Sequence, residues 1–63
     1  MITKKMLYYR VSYTVKSVFT GTSTYSMEFD RMMYVEDFID SLKEDYEENL
    51  IRVVLETVEE IQI

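Results

Sequence analysis

From Leu7 to Lys16 apolar and polar residues alternate without a break. Leu7, Tyr9, Val11, Tyr13 and Val15 fall on one side, and Tyr8, Arg10, Ser12, Thr14 and Lys16 on the other. A period of two sends successive side chains to opposite faces, and the β-branched and aromatic content suits a pleated surface. Residues 7–16 are therefore expected to form a half-buried strand. The chain should turn at Thr20-Gly21-Thr22, after which Tyr25, Met27 and Phe29 alternate with Thr24, Ser26 and Glu28. This second strand makes a β-hairpin with the first, and Gly21, the only glycine, supplies the positive φ that a tight connection needs.

After Phe29 the period changes. Val35, Phe38, Ile39, Leu42 and Tyr46 recur at the spacing of one face of an α-helix. Glu36 and Asp37 are placed near its start, where carboxylates favour the dipole. Asp30 lies too early to be a convincing N-cap. Asn49 is expected at the C-terminal end, because asparagine tolerates the left-handed region. Residues 50–58 read as a third strand, with Ile51, Val53 and Leu55 on one face and Leu50, Val54 and Val58 on the other. Residues 59–63 either continue it or fray. The expected class is α+β: one domain over residues 1–63, in the order ββαβ. Its sheet is three-stranded, antiparallel or mixed, with strand order 2-1-3 and the helix across one face. The other face would then carry Tyr8, Val18, Val54 and Val58 uncovered, and exposed apolar surface often marks an interface.

Length sharpens this picture. A chain of 63 residues buries only about 60% of the surface its unfolded form exposes. Small domains usually add disulfides, a metal or a second subunit. Cysteine and histidine are both absent, which removes disulfides and the usual zinc and haem ligands. A homodimer is therefore expected. No stretch approaches the roughly 20 apolar residues of a membrane span. The opening Met1-Ile2-Thr3-Lys4-Lys5-Met6 lacks the apolar core of a signal peptide. The lack of cysteine is compatible with a reducing cytoplasm.

The net charge of −5 is unevenly spread: residues 1–31 sum to +3 and residues 32–63 to −8. The acidic half would repel a nucleic-acid backbone directly and attract a basic surface, such as that of a protein that itself binds DNA. On the helix, Asp37, Asp40, Glu44 and Glu47 follow at steps of three, four and three. They would form a ridge with neighbouring Cβ atoms about 5–6 Å apart. The ridge is either the solvated side of an amphipathic helix or an imitation of a phosphate backbone. The first is the more common case, and the charge repulsion the ridge carries, at a cost in helix stability, adds weight to the second.

Catalytic chemistry is poorly represented. There is no histidine for acid–base work, no cysteine nucleophile, no phosphate-binding loop and no dinucleotide fingerprint. No cofactor is expected and the chain is not expected to be an enzyme. Glu44, Asp45, Glu47 and Glu48 are dense but lack the pattern and glycine of a calcium loop, so no metal is expected. Tyr9, Tyr13, Tyr25, Phe29 and Phe38 fall on faces that the periodicity buries. Tyr8, Phe19 and Tyr34 are candidate interface anchors. Met32 and Met33 either fill gaps beneath the helix or adapt to a partner. The basic residues among the strand-one tyrosines weakly suit single-stranded nucleic acid, against which the overall acidity argues.

Met27-Glu28-Phe29, with Asp37-Phe38 nine residues after Phe29, resembles the small acidic phage-encoded uracil-DNA glycosylase inhibitors. The resemblance spans roughly residues 25–58 and rests on short motifs. It implies a ββαβ dimer, acting in the cytoplasm of the host cell, that mimics DNA and closes a hydrophobic pocket over the apolar side chain the enzyme wedges into DNA. Phe38 would line that pocket and Glu28 would be an anchoring carboxylate. Leu42 stands where the family carries an aromatic, which keeps an apolar wall of different shape. Ile39 stands where it carries a carboxylate, so Asp37 or Asp40 would have to serve. Gly21 lies farther from Glu28 than the family glycine would. The partner-binding candidates are thus Glu28, Asp37, Phe38, Asp40, Leu42 and Glu44. The alternatives are a phage or plasmid accessory protein serving as a structural or regulatory interaction module, and an inhibitor of another host defence nuclease.

Overall fold

The computed structural model describes residues 4–62. The first three residues of the N-terminal segment and the last residue of the 59–63 tail lie outside the described residues. The elements are β1 (Lys4–Ser17), β2 (Gly21–Phe29), α1 (Met32–Tyr46), a 3-10 turn (Glu47–Asn49) and β3 (Leu50–Gln62). The sheet order is β2-β1-β3, and both outer strands run antiparallel to β1. This is the α+β, ββαβ arrangement the pattern predicts, with every neighbouring pair antiparallel. β2 and β3 are parallel to each other but separated by β1, and for that reason a helix joins them.

The hairpin register pairs Ser17 with Gly21 and runs to Tyr9 opposite Phe29. Gly21 has φ +74°, the left-handed conformation expected of it, at the end of the Val18-Phe19-Thr20 connection. β1 pairs with β3 from Lys4 opposite Gln62 to Thr14 opposite Arg52, and then slips by one residue so that Val15 faces Leu50. Ile51 is the extra residue of that bulge. Both strands run past the end of β2, so residues 4–8 and 58–62 form a two-stranded ribbon projecting from the three-stranded part. The radius of gyration, 14.8 Å, and the extents of 53 × 22 × 12 Å record this elongation. A compact chain of this length would have a radius near ~11 Å.

The helix departs from expectation at both ends. It begins at Met32, because Met32-Met33-Tyr34 contains nothing that breaks a helix and continues the turn backwards from Val35. Arg31, in extended conformation, is the N-cap, with no side-chain cap, and its carbonyl accepts from the Tyr34 and Val35 amides at 3.2 and 3.4 Å. Glu36 and Asp37 consequently sit in the second turn, outside the first-turn position that helps the dipole. At the other end the residue with positive φ is Glu47, at +49°, and not Asn49, which closes the 3-10 turn. The Glu47 amide donates to the Lys43 carbonyl, which ends the helical ladder there.

Among the described residues the buried hydrophobic side chains are Val11, Val15, Val35 and Leu42. Around these four lies an aromatic cluster. The Phe38 ring is 5.1 Å from Phe29 and 5.6 Å from Tyr13, and Tyr13 also meets Tyr25 at 5.5 Å and Tyr46 at 6.4 Å between centroids. Tyr25 is nonetheless half exposed, on β2 at the edge of the sheet. On the opposite face Tyr8 lies across from Val58, and Val54 across from Ser12. Val18, assigned to that face by the pattern, instead lies in the turn beside Phe19, and both are more than 90% exposed. No helix among the described residues is long and apolar enough to cross a membrane.

Candidate partner-binding surface

The inward face of α1 is Val35, Phe38, Ile39, Leu42 and Tyr46, so a rotation of 100° per residue turns Asp37, Asp40 and Glu44 outward. All three are exposed. Asp37 and Glu44 are seven residues apart, a rise of about 10 Å, with Asp40 between them. Glu47, the fourth member of the expected ridge, leaves it: with its positive φ it lies beyond the helix. Met33, one turn before Asp37, is exposed on the same side and extends the ridge with a flexible apolar side chain. Among the described residues the ion pairs are Lys5 with Glu59 and Arg10 with Glu28, and neither involves an α1 carboxylate. The Ser41 hydroxyl donates back to the Asp37 carbonyl at 3.0 Å.

Phe38 and Leu42 point the other way. Leu42 is buried, and Phe38 packs between Tyr13 and Phe29. Glu28 is farther removed still. It stands opposite Arg10, on the sheet face that α1 does not cover, whereas Phe29 and Phe38 meet on the covered face. One chain therefore brings Asp37, Asp40 and Glu44 together and separates them from Phe38 and Leu42 by the thickness of the helix, and from Glu28 by the sheet.

The uncovered face has its own electrostatics. Arg10 donates to the Glu28 carboxylate at 3.1 Å, with Tyr8 Oη at the edge of reach at 3.5 Å, and stands opposite Glu56 on its other side. The hydrogen bond to Glu28 leads the causes that hold the Arg10 guanidinium above its ordinary pKa, and Glu56 adds to it. Partial desolvation, followed by Glu60 and Glu28, raises the Tyr8 phenol. Beside it the end of β2 forms an open concavity lined by Tyr8, Glu28, Phe29, Asp30 and Glu60. Two rows down, the Thr14 and Thr24 hydroxyls are hydrogen-bonded at 3.0 Å. Sequence reasoning put Arg10 among stacking tyrosines and missed its pairing. A hairpin centred on Phe19 would have shown it, since that centre sets residue 10 opposite residue 28.

No protein-family description, curated protein or solved structure matches this chain.

Proposed function

We propose that this chain is a non-catalytic binding protein that occupies the basic DNA-binding surface of another protein, offering the carboxylates of α1 where that surface would take phosphates. The supporting observation is the outward face of α1. It carries Asp37, Asp40 and Glu44, exposed and without an ion-pair partner among the described residues, on one helix. Like charges at these spacings destabilise a helix by a few tenths of a kcal/mol per pair. Among the described residues no ion pair offsets that cost. Uracil-DNA glycosylase is the specific target to which the Glu28 and Asp37-Phe38 resemblance points. The separation of Glu28 from Phe38 and Leu42 moves the weight of recognition from a pocket to the helix ridge.

Uracil excision by a bacterial glycosylase, with this protein titrated in, tests the specific target. The expected result is stoichiometric inhibition that weakens as ionic strength rises, because exposed charges are screened over about 10 Å at 0.1 M salt. Competition with DNA for a panel of basic DNA-binding proteins tests the class. Failure to displace DNA from any of them would overturn the mimic reading. It would favour the interaction-module reading, for which the open strand edges of the sheet are the supporting feature.

A further inference from the structure

β3 is an outer strand of 13 residues with no neighbour on its far side among the described residues. Long open edges are normally blunted by proline, lysine or brevity. β3 has neither proline nor lysine, and its one irregularity, the bulge at Ile51, lies near its start. Its charges are few and ordered: Arg52 and Glu56 on the uncovered sheet face, then Glu59 and Glu60.

We infer that the outer edge of β3 pairs antiparallel with β3 of a second copy of this chain, about a two-fold axis at Val54. The copy is singled out by charge. A two-fold axis normal to the sheet keeps each face on its own side, so the pairing must centre on a residue. Centring on Val54 sets Arg52 of each chain opposite Glu56 of the other, and Val53 opposite Leu55. The charged pairs lie on the uncovered face, and the apolar pairs lie on the helix face, where Leu55 is otherwise 44% exposed. Every neighbouring register is worse. Centring on Val53 sets Leu50 against Glu56, and on Leu55 it leaves both charges facing valines. Centring on Glu56 sets that carboxylate against itself, on Thr57 it buries Glu59 against Leu55, and on Val58 it sets Glu56 against Glu60.

The Val54 register also completes a pattern already present in one chain. Glu28, Arg10 and Glu56 lie in one row across β2, β1 and β3. The copy's Arg52 would be next in that row, so that signs alternate across the junction. The product is a continuous six-stranded sheet, β2-β1-β3-β3-β1-β2, with both α1 helices on the same side. The outward carboxylates are thereby doubled on one surface. The pairing is independent of whichever macromolecule that surface meets.

The chain contains no cysteine, so one introduced thiol reports alone. Directly opposed residues in antiparallel strands have Cα atoms about 4.5–5.5 Å apart, within the roughly 4.4–6.8 Å that a disulfide spans. Val54→Cys is expected to oxidise to a covalent dimer much faster than Leu55→Cys, Glu56→Cys or Thr57→Cys. Fastest cross-linking at another of these positions overturns the register, and a monomer by sedimentation at every accessible concentration overturns the pairing. Arg52→Glu and Glu56→Arg alter exposed side chains, and circular dichroism checks that each still folds. Each alone is expected to raise the dimer dissociation constant by about tenfold or more, since both symmetry-related pairs become repulsive. An equimolar mixture of the two variants restores opposite signs at both pairs and is expected to form a heterodimer of wild-type affinity. No recovery on mixing would overturn the charge-matched register.

Discussion

Phe38 and Asp40 are two residues apart on α1 and belong to different parts of the molecule. Phe38 is held between Tyr13 and Phe29, so truncating it removes contacts that a core of four buried side chains cannot replace. Phe38→Ala is expected to cost about 3 kcal/mol, the low end for a phenylalanine because the ring is only part-buried. The melting midpoint should fall by roughly 12–24 °C. A fall of only a few degrees in a thermal melt would return Phe38 to the role of an outward pocket residue. Asp40→Lys should do the reverse. It relieves repulsion with Asp37 and Glu44, each worth a few tenths of a kcal/mol, so the fold should be slightly firmer, while on the proposed function competition with DNA weakens. Unchanged inhibition in a DNA-competition assay would remove the ridge from recognition. Tyr13 carries the clearest titration of the core. Desolvation leads the causes that raise its phenol above 10.0, followed by Tyr46 and Tyr25. A folded-state pKa above the unfolded one means that the folded protein holds the proton more tightly. The contribution is fully present below pH 10 and is lost as pH rises through the folded value. Tyr13→Phe should accordingly lessen the loss of stability seen in melts taken above pH 10.

At the scale of elements, the ends of α1 differ most from what periodicity predicts. The start is uncapped by any side chain, and the end forces Glu47 to φ +49° with ψ −119°, a region comfortable only for glycine. Glu47→Gly is therefore expected to stabilise the fold by about 1 kcal/mol, against the usual cost of an added glycine. A midpoint raised by roughly 4–8 °C would register it, and a lowered midpoint would mean that the Glu47 side chain has a structural use. Gly21 is the opposite case. There is open space around it, so only its φ of +74° requires glycine. The strands are unequal: β2 is nine residues long and covers only the far part of β1, leaving the β1–β3 ribbon with Met6, Leu7 and Ile61 exposed.

At the scale of the whole molecule, four buried side chains among the described residues and a radius of gyration of 14.8 Å give little interior. Stabilities of about 0.05–0.15 kcal/mol per residue would give it roughly 3–9 kcal/mol at best. On the proposed pairing of two copies a second subunit would add burial, and the melting midpoint is then expected to rise with protein concentration. The same acidity that would hold off DNA makes any encounter with a basic partner faster at low ionic strength. An association rate that ignores salt would count against charge-led recognition.

The alternation in residues 7–16, the single glycine and the switch to helical spacing after Phe29 were enough to determine the element order and the sheet order. Backbone geometry translates a period of two or 3.6 directly into strand or helix, and short connections leave few topologies. The outward ridge of Asp37, Asp40 and Glu44 was legible for the same reason, since helical rotation alone separates it from Val35, Phe38 and Leu42. The pairing of Arg10 with Glu28 and Glu56 depends on strand register. The slip at Ile51, the left-handed Glu47 and the exposure of Tyr25 depend on how one short helix lies across three strands of different length. Those are contacts between residues far apart in the chain, and a local pattern carries no information about them. For that reason the sequence could mark Glu28, Phe38 and Leu42 as candidates for one site, and only the tertiary structure could place them on opposite sides of the sheet and beneath the helix.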